Sequence, residues 1–363
     1  MKKLSLIVIV LFFVLAACKK NNNPSPTNPG NPSSGQQTII RGADLSFLPE
    51  ITEAGTTFYD STGVATDPLT IFKDNGCNTV RIRLWYQPAT VHSSFSEVLA
   101  FSKTIHAAGM NVWLDIHYSD TWADQGHQAK PASWVNLSTS VLEDSVYQYT
   151  KRVVGAIQPE FVQIGNEIND GFLWNNGKTN NTNTFIALLN QGIKAAREAD
   201  DSTKIIIHFA GYKGAFWFYR LLQSHNVNYD IIGISYYPWW HGKDMNVMED
   251  SLSRLSTVFN KKVVIAETAY PFTLGWNDLT NNTIGDSSQL IPQFPATPQG
   301  QKNYLMSLRQ VLNKNPYNMG FCYWEPDWVA FKGTQATNGS SWENLTLFDF
   351  QNKVLPGMDV FNN

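Results

Sequence analysis

Residues 161–167 read FVQIGNE, a short apolar run that ends abruptly on an acid. Residues 263–267 read VVIAE and repeat the pattern, so Glu167 and Glu267 stand 100 positions apart at corresponding places. Runs of this length, rich in β-branched and other apolar residues, are typical of strands buried on both faces, as in parallel sheets. The two stretches therefore predict two buried parallel strands, each with a glutamate at its carboxyl end.

Six similar runs elsewhere in the chain bring the number of predicted strands to eight, at residues 40–44, 79–84, 112–116, 161–165, 205–209, 231–235, 263–266 and 320–324. Stretches long enough for helices lie between them, for example residues 95–108, 141–157, 184–200, 248–260 and 298–313. This alternation predicts an α/β protein with the (β/α)8 TIM-barrel fold. A doubly wound open sheet is the alternative, but such a sheet usually has fewer strands and a glycine-rich phosphate-binding turn.

The N-terminal residues are predicted to lie outside the barrel. Lys2 and Lys3 precede an apolar segment at residues 4–15, and Leu15-Ala16-Ala17-Cys18 resembles a bacterial lipobox. We therefore predict a lipoprotein signal peptide at residues 1–17, with an ordinary cleavage site and an incidental cysteine as the alternative. Cys18 then carries the lipid, and residues 18–37, rich in Asn, Pro, Ser and Gly, form a flexible linker. The barrel is predicted to span residues 38–363.

Charge and cysteine content narrow the class of protein further. The net charge is −3, or −5 once Lys2 and Lys3 are removed with the signal peptide, and no basic run is present, so nucleic acid is not an expected partner. With Cys18 lipidated, Cys77 and Cys322 remain, and we expect two free buried thiols, with a disulfide as the alternative.

Lys19, which follows Cys18, is not the acidic residue that retains many lipoproteins at the inner membrane. The expected location is the outer membrane of a Gram-negative bacterium, with exposure at the cell surface left open.

The ends of the predicted strands carry polar and aromatic side chains. Active sites of (β/α)8 barrels lie at the carboxyl ends of the strands, which places Glu167 and Glu267 at one rim. Hydrolysis of a glycosidic bond needs two such acids, one that protonates the leaving oxygen and one that attacks the sugar carbon. The alternative is that each glutamate is only a solvated strand terminus.

Nine segments, in order, resemble one known family. Asn-Glu at the end of strand four and Glu at the end of strand seven are marks of the clan A glycoside hydrolases. Within that clan the chain resembles glycoside hydrolase family 53, the arabinogalactan endo-β-1,4-galactanases. The matching segments are GADLS (42–46), FYD (58–60), VRIRLW (80–85), HYSDTWAD (117–124), GNEIN (165–169), GFLW (171–174), ISYYP (234–238), AET (266–268) and YWEP (323–326).

The resemblance implies an endo-acting hydrolase of β-1,4-galactan, the galactan of type I arabinogalactan side chains in pectin. It implies that Glu167 is the general acid/base and Glu267 the nucleophile of a retaining mechanism. Asn166 is expected to hydrogen-bond the sugar 2-hydroxyl, with a role in the turn as the alternative. Arg83, nearer the rim than Arg81, is expected to hold Glu267 ionised.

Other rim residues are expected to bind the sugar chain. His117 and Tyr237 should complete the subsite at the cleaved bond, and Trp324 should form its floor. Trp122 and Trp240 are expected to be stacking platforms, because aromatic rings pack on the apolar faces of sugars. Asp44 is expected to contact a sugar hydroxyl or to orient Arg83. Both Asp44 and Arg83 belong to this predicted substrate-binding set.

Cofactor and partner expectations follow from the same resemblance. The reaction needs no metal, although the loop at residues 270–301 has oxygen ligands such as Asp278 and Asp286 and leaves a calcium site open. The expected partners are plant cell-wall β-1,4-galactan and the membrane through the lipid anchor, and the expected state is a monomer. Two alternatives remain: another clan A endo-glycanase, such as a mannanase or xylanase, and a surface glycan-binding lipoprotein without turnover.

Overall fold

The structure is a computed structural model, and it describes residues 39–362. The predicted signal peptide (1–17), the lipidation site Cys18 and the linker (18–37) lie outside the described residues and stay predictions. Among residues 39–362, no helix combines the length and apolar character needed to cross a membrane.

Eight parallel strands close into a barrel in chain order. They are β1 (Ile40–Asp44), β2 (Thr79–Leu84), β3 (Asn111–Ile116), β4 (Phe161–Ile164), β5 (Lys204–Ala210), β6 (Ile231–Ser235), β7 (Lys262–Thr268) and β8 (Asn318–Trp324). Strand β1 pairs with both β2 and β8, which closes the ring. The predicted (β/α)8 fold is confirmed, and each predicted strand bound lies within two residues of the observed one.

Helices surround the barrel in the part of the chain that the structure describes. They are α1 (Leu48–Glu53), α2 (Pro68–Asp74), α3 (Phe95–Ala107), α4 (Thr139–Ile157), α5 (Thr182–Ala199), α6 (Ala215–Ser224), α7 (Pro238–His241), α8 (Met245–Phe259) and α9 (Pro298–Leu312). Short 3-10 turns occur at Ala132–Trp134, Ser287–Gln289, Glu343–Leu345 and Pro356–Phe361. The five helices predicted from sequence are confirmed. Helices α1, α2 and α7 span only one or two turns, too few for a helical period to show in the sequence.

Local sequence explains where the long helices begin and end. Ser94 and Ser138 cap α3 and α4, each accepting a hydrogen bond from a backbone N–H of the first turn. Asp244 caps α8 in the same way. Gln158 and Asn260 end α4 and α8 in the left-handed conformation, which stops the helix and turns the chain back towards the next strand.

Side chains inside the barrel change from apolar to polar along the strands. Trp113 on β3 and Ile206 on β5 belong to an interior apolar cluster. Two residues further along the same strands, on the same face, Asp115 and His208 are also buried. The barrel is thus filled by a packed apolar layer, and a buried polar layer lies towards the carboxyl ends of the strands, where the site is found.

The two cysteines in the described residues are free and buried, as predicted. Burial raises the pKa of the Cys77 thiol to about 12, so it stays protonated. Cys322 lies in the interior apolar cluster, and burial raises its pKa as well. Both act as small apolar core residues.

Candidate active site

The two glutamates meet across the mouth of the barrel. Glu167 lies three residues beyond the end of β4, and Glu267 is the penultimate residue of β7. One side-chain oxygen of each glutamate and a ring nitrogen of His208 all lie within 4.8 Å of one another. Carboxyl groups about 5–5.5 Å apart are typical of glycosidases that retain anomeric configuration, whereas inverting enzymes separate them by about 6.5–9.5 Å. The geometry is that of a retaining pair.

The turn after β4 gives Glu167 its orientation. Gly165 has φ +83°, and a Cβ at this position would lie 2.6 Å from Ile168 Cγ2, so only glycine fits. Glu167 itself has φ +45°, a left-handed conformation that is unfavourable for a residue with a side chain. Such strain, about 1–3 kcal/mol, persists where the surrounding fold imposes it, and it is frequent at functional sites.

Glu267 is held by a cation and a phenol. Arg81 Nη2 lies 2.9 Å from Oε1 of Glu267, and the Tyr237 hydroxyl donates a hydrogen bond of 3.1 Å to Oε2. The expectation that Arg83 holds Glu267 is wrong. Both arginines are on the same face of β2, but Arg83 is one pleat nearer the rim and pairs with Glu325 at 3.1 Å. Arg81 extends into the barrel centre, where Glu267 also lies.

Arg81 is the centre of a buried polar network, defined here as Asp44, Arg81, Asp115, Asn166 and His208. Its guanidinium contacts Asp44 at 2.6 Å, Asp115 at 2.9 Å and the Asn166 side-chain oxygen at 2.9 Å. Asp44 therefore orients Arg81, and the expectation that it orients Arg83 is wrong. Asp44 also lines the cleft, so its predicted contact with a sugar hydroxyl stays a prediction.

His117 extends the polar network towards the β3 loop. Its Nε2 lies 3.0 Å from Asp115, and its Nδ1 accepts a hydrogen bond from the Ala123 backbone N–H. The next residue of the loop after Ala123 is Asp124, which faces Glu167. His117 thus joins the strand end to a loop that lines the cleft.

A second chain of contacts leads to Glu167. Asn166 donates from its amide to the Ala123 carbonyl at 2.8 Å, and its oxygen lies 2.9 Å from His208 Nδ1. His208 Nε2 lies 2.8 Å from the Ser235 hydroxyl, which donates a hydrogen bond of 2.6 Å to Glu167. His208 and Ser235 were not selected from the sequence as site residues. Counting alternate residues along β5 and β6 identifies both, because each has its side chain on the inner face of the barrel near the end of its strand.

Burial and neighbouring charges set the protonation of the pair. Burial raises the pKa of Glu167, and the Asp124 carboxylate raises it further. Burial also raises the pKa of Glu267, against the opposing influence of Arg81, and the charge of Glu167 adds to the rise. Such a pair retains a proton where isolated glutamates would be ionised. Because the guanidinium and the phenol contact Glu267, the negative charge is stabilised best there and the proton on Glu167.

His208 and Tyr237, two polar groups close to the glutamates, stay uncharged. Burial lowers the pKa of His208 well below its ordinary value, and the Arg81 cation lowers it further, so the ring is neutral. Burial and the charge of Glu267 raise the pKa of Tyr237, so its hydroxyl stays protonated and can donate. The only fixed cation in direct contact with the carboxylate of Glu267 among the described residues is therefore Arg81.

The glutamates face a cleft of about 310 Å³. All ten residues predicted to act in catalysis or substrate binding line it, namely Asp44, Arg83, His117, Trp122, Asn166, Glu167, Tyr237, Trp240, Glu267 and Trp324. Apart from the corrected contacts of Arg83 with Glu267 and of Asp44 with Arg83, their individual roles stay predictions, although the structure brings all ten together. The cleft is also lined by residues not selected from the sequence: Arg81, Asp115, Asp124, Thr283, Trp328, Ser341 and Trp342.

Four tryptophans form one side of the cleft, and we call them the aromatic wall: Trp122, Trp324, Trp328 and Trp342. The ring of Trp324 lies 6.1 Å from Trp122, 6.0 Å from Trp328 and 4.6 Å from Trp342. Three of the four belong to β8 and the loops that follow it, and Trp122 belongs to the loop after β3. Adjacent rings at different angles suit a carbohydrate chain that changes direction from one sugar to the next.

A second groove, of about 690 Å³, adjoins the cleft. Asp124, Glu167 and Trp240 line both spaces, whereas Glu267 lines only the cleft. The groove continues past Gln125, Gly126, His127, Asn169, Ala210, Gly211, Lys213 and His241. Trp240 stands between the two spaces with 57% of its surface exposed, as expected of a stacking platform. Together the spaces form a path longer than one sugar across the barrel mouth.

The loop at residues 270–301, which offers oxygen ligands for a calcium ion, uses two of its carboxylates in hydrogen bonds of its own. Asp278 accepts hydrogen bonds from the backbone N–H of Thr280 and, at 3.1 Å, from that of Ser340. Asp286 caps a 3-10 turn by accepting from the Ser288 N–H. Both side chains therefore already accept hydrogen bonds that shape the loop. The calcium site stays a prediction, and no catalytic step depends on it.

Comparison with known proteins finds one family across the barrel. The profile of Glycosyl hydrolase family 53 matches residues 40–361. An arabinogalactan endo-β-1,4-galactanase of Cellvibrio japonicus is 36% identical over 347 residues, covering 88% of this chain and 89% of that protein. An endo-β-1,4-galactanase of Bacillus subtilis is 32% identical, covering 89% and 85%.

Solved structures agree with the sequence comparison. The GH53 catalytic domain of Ignisphaera aggregans superposes with a TM-score of 0.86 at 35% identity, covering 93% of this chain and 98% of that one. A xylanase of Paenibacillus barcinonensis reaches a TM-score of 0.58 at 14% identity, with 91% and 97% coverage, which is a likeness of fold alone.

Proposed function

The chain belongs to glycosyl hydrolase family 53, and from that membership we propose that it is an endo-acting β-1,4-galactanase that works by retention. The observation that carries the proposal is the carboxyl pair, with oxygens within 4.8 Å at the ends of β4 and β7. The relatives from Cellvibrio japonicus and Bacillus subtilis, both named as galactanases, support the choice of substrate. The product is a mixture of short galacto-oligosaccharides from galactan or type I arabinogalactan.

In the first step, an oxygen of Glu267 attacks the anomeric carbon of the bound galactose. The bond from that carbon to the leaving oxygen breaks, and Glu167 transfers its proton to the leaving oxygen. Arg81 and Tyr237 hold the attacking carboxylate in place. The result is a galactosyl ester of Glu267 and a free chain with a new 4-hydroxyl.

In the second step, water replaces the ester. Esterification removes the negative charge of Glu267, which lowers the pKa of Glu167 and lets it accept a proton from water. The water oxygen attacks the anomeric carbon from the opposite face to the ester, and the ester bond breaks to regenerate the Glu267 carboxylate. Two displacements at the same carbon leave its configuration unchanged.

The substrate preference rests on the shape of galactan. Its 4-hydroxyl is axial, so each linkage bends the chain, and a curved path with rings at several angles should fit it. Polar groups placed for an axial oxygen would be left unpaired by glucan or mannan, at about 1–3 kcal/mol each. We therefore expect rapid mid-chain cleavage of β-1,4-galactan and little action on cellulose, xylan, mannan or β-1,3-linked galactan.

A reducing-sugar assay on that panel of polysaccharides tests the proposal. Release of short oligosaccharides from β-1,4-galactan alone supports it. Comparable rates on mannan or xylan, or release of single galactose units from the outset, would overturn it. No turnover of any member would favour a glycan-binding lipoprotein, although a pure binder has no need for both Glu167 and Glu267.

We also propose that the enzyme is a monomer and is attached to the outer membrane through a lipid on Cys18. The support is the sequence Leu15-Ala16-Ala17-Cys18 after an apolar segment, followed by a linker without apolar periodicity. Several acyl chains hold a protein at a membrane firmly, whereas one gives marginal binding. Cys18→Ser should move the enzyme out of the membrane fraction with its activity intact. Unchanged fractionation of this variant would contradict the anchor.

A further inference from the structure

The second arginine of β2 has no direct part in the steps described above, yet it lies at the cleft. Arg83 is buried, with 3% of its surface exposed, and it lines the same space as the two glutamates. Its guanidinium donates to Glu325 at 3.1 Å and to the Ser93 hydroxyl at 3.1 Å. No contact to Glu167 or Glu267 is among its interactions in the described residues. The burial of this cation beside the cleft therefore needs an explanation other than a contact with the two glutamates.

The guanidinium of Arg83 is enclosed by three aromatic rings. Its central carbon lies 4.1 Å from the ring of Trp122, 4.6 Å from that of Phe47 and 4.9 Å from that of Trp85. A cation over an aromatic face is attracted to the ring most strongly when water is excluded, and a guanidinium also stacks through its plane. The three rings come from different segments, after β1, β2 and β3.

This arginine cage (Phe47, Trp85 and Trp122) is continuous with the aromatic wall. Phe47 stacks on Trp328 at 4.0 Å, and Trp122 lies 6.1 Å from Trp324. The Glu325 that pairs with Arg83 directly follows Trp324 in the chain, and Trp328 follows three residues later. One side chain thus connects the loop after β3 with the loop after β8, which together carry the wall.

The aromatic wall lies on one side of the glycosidic bond that is cleaved. Glu167 protonates the leaving oxygen, so the leaving part of the chain lies towards the groove that contains Glu167 but not Glu267. The four tryptophans of the wall line the cleft with Glu267 and are absent from that groove. The wall therefore faces the sugars on the non-reducing side of the cleaved bond.

We propose that Arg83 is a positioning residue that fixes the aromatic wall and thereby sets the affinity for chains with several galactose units on the non-reducing side of the cleaved bond. Loops are the mobile parts of a barrel, and stacking on a sugar requires a ring at a fixed angle. The cage and the ion pair to Glu325 supply that restraint. The proposal rests on the proposed galactanase activity and adds to it the determinant of preferred chain length.

The test compares two substrates with the same leaving group, 4-nitrophenyl β-galactoside and the 4-nitrophenyl glycoside of β-1,4-galactotetraose. For Arg83→Met we expect KM for the tetraoside to rise about tenfold, with kcat within about twofold of wild type. On the single galactoside, kcat/KM should fall several times less than on the tetraoside. Arg152→Met is the matched control, because Arg152 lies over Phe95 and Tyr149 away from the cleft. This variant should have wild-type kcat and KM on both substrates.

Two further variants separate positioning from charge and from folding. Arg83→Lys keeps the charge opposite Glu325 but lacks the planar group, so it should show the same rise in KM. The double variant Arg83→Met/Glu325→Leu removes both charges together, which a buried pair tolerates better than loss of one partner, and it should fold with the same defect.

Three results would overturn the proposal: full rescue by Arg83→Lys, a wild-type KM for the tetraoside in the double variant, or an equal loss on both substrates. A wild-type enzyme inactive on galactan would instead refute the proposed function. The same variants would then be compared on oligosaccharides of the glycan that is cleaved, so the two failures are distinguishable.

Discussion

The polar network and the aromatic wall meet at the same cleft but are built from different parts of the barrel. Four of the five members of the network lie within strands, and Asn166 lies two residues beyond the end of β4; all are almost fully buried. The wall stands mainly on loops, and Trp122, Trp324 and Trp328 keep part of their surface exposed to the cleft. In the proposed mechanism the strands thus fix most of the groups around the reacting atoms, while the loops hold the sugar chain. Changes in the network should reduce kcat, and changes in the wall should raise KM.

The largest effect is expected at the glutamates themselves. Glu267→Ala should abolish turnover of every substrate, by on the order of 10⁴-fold or more, because no other group can form the ester. Glu167→Ala should reduce galactan cleavage severely but spare the first step on dinitrophenyl galactosides, whose leaving group needs no proton. Stopped-flow release of dinitrophenol measures that step directly.

External azide distinguishes the two roles. With Glu167→Ala, azide should replace the water that now lacks a base, giving the β-galactosyl azide with retained configuration. If azide rescued only Glu267→Ala with retention, the assignments of the two glutamates would be reversed.

The next largest effect is expected at Arg81, the cation that contacts Glu267. Arg81→Met should lower kcat by about 10²–10³-fold, the usual cost of losing a fixed group that stabilises charge in the active site. A cation favours the ionised carboxylate, so its removal raises the pKa of Glu267. The acidic limb of the kcat/KM profile should therefore move to higher pH. Arg81→Lys, which keeps the charge, should show a smaller shift, and an unchanged acidic limb in Arg81→Met would contradict the role of Arg81.

A smaller effect, of a different kind, is expected in the wall. Trp328→Ala should raise KM for galactan by about tenfold, equivalent to ~1.4 kcal/mol of lost stacking, with little change in kcat. Trp276→Ala is the matched control, because that tryptophan is 48% exposed and lines neither the cleft nor the adjoining groove. A loss of kcat in Trp328→Ala as large as its rise in KM would break the division between strands and loops.

The smallest effect is expected on the free energy of unfolding, at Asp327, which directly precedes Trp328 of the aromatic wall. Among the described residues, no other residue donates a hydrogen bond to either of its carboxylate oxygens, and burial raises its pKa well above the ordinary value. The folded protein therefore holds a proton that the unfolded chain releases above about pH 4. This contribution to the free energy of unfolding is complete below that pH and is lost as the pH rises.

Asp327→Asn should remove that decline. We expect the variant to gain about 1 kcal/mol relative to wild type at pH 8 and nothing at pH 4, measured by urea unfolding. Asp250→Asn, at an exposed position on α8, should follow the wild-type curve. A parallel pH dependence in Asp327→Asn and wild type would show that the carboxyl is not buried as the structure has it.

Sequence alone predicted the strands and the two glutamates because both leave local signals. A buried parallel strand is an uninterrupted apolar run, and a polar residue at its end stands out against it. Glu167 and Glu267 were found in this way, and the fold then placed them opposite each other. Residues whose role depends on a partner across the barrel left no such signal.

The two arginines illustrate that limit. Arg81 and Arg83 point to the same face of β2, and pleat alternation does not show which of them reaches Glu267 on β7. The distance across the barrel decides it, and that depends on strand tilt and register. Trp328 and Trp342 lie in irregular loops after β8, where no periodicity marks a side chain that faces the cleft. The polar partners His208 and Ser235 could have been found by counting inward positions along β5 and β6.

The central claim is that Glu267 attacks galactose while Glu167 supplies the proton, and trapping the intermediate tests it most directly. A 2-deoxy-2-fluoro galactobioside with a good leaving group should form a stable ester, because the fluorine slows both steps while the good leaving group accelerates only the first. Mass spectrometry of the digested protein should then find one added 2-fluorogalactobiosyl group on the peptide that contains Glu267. A label on Glu167, or no label together with an inverted product, would contradict the account.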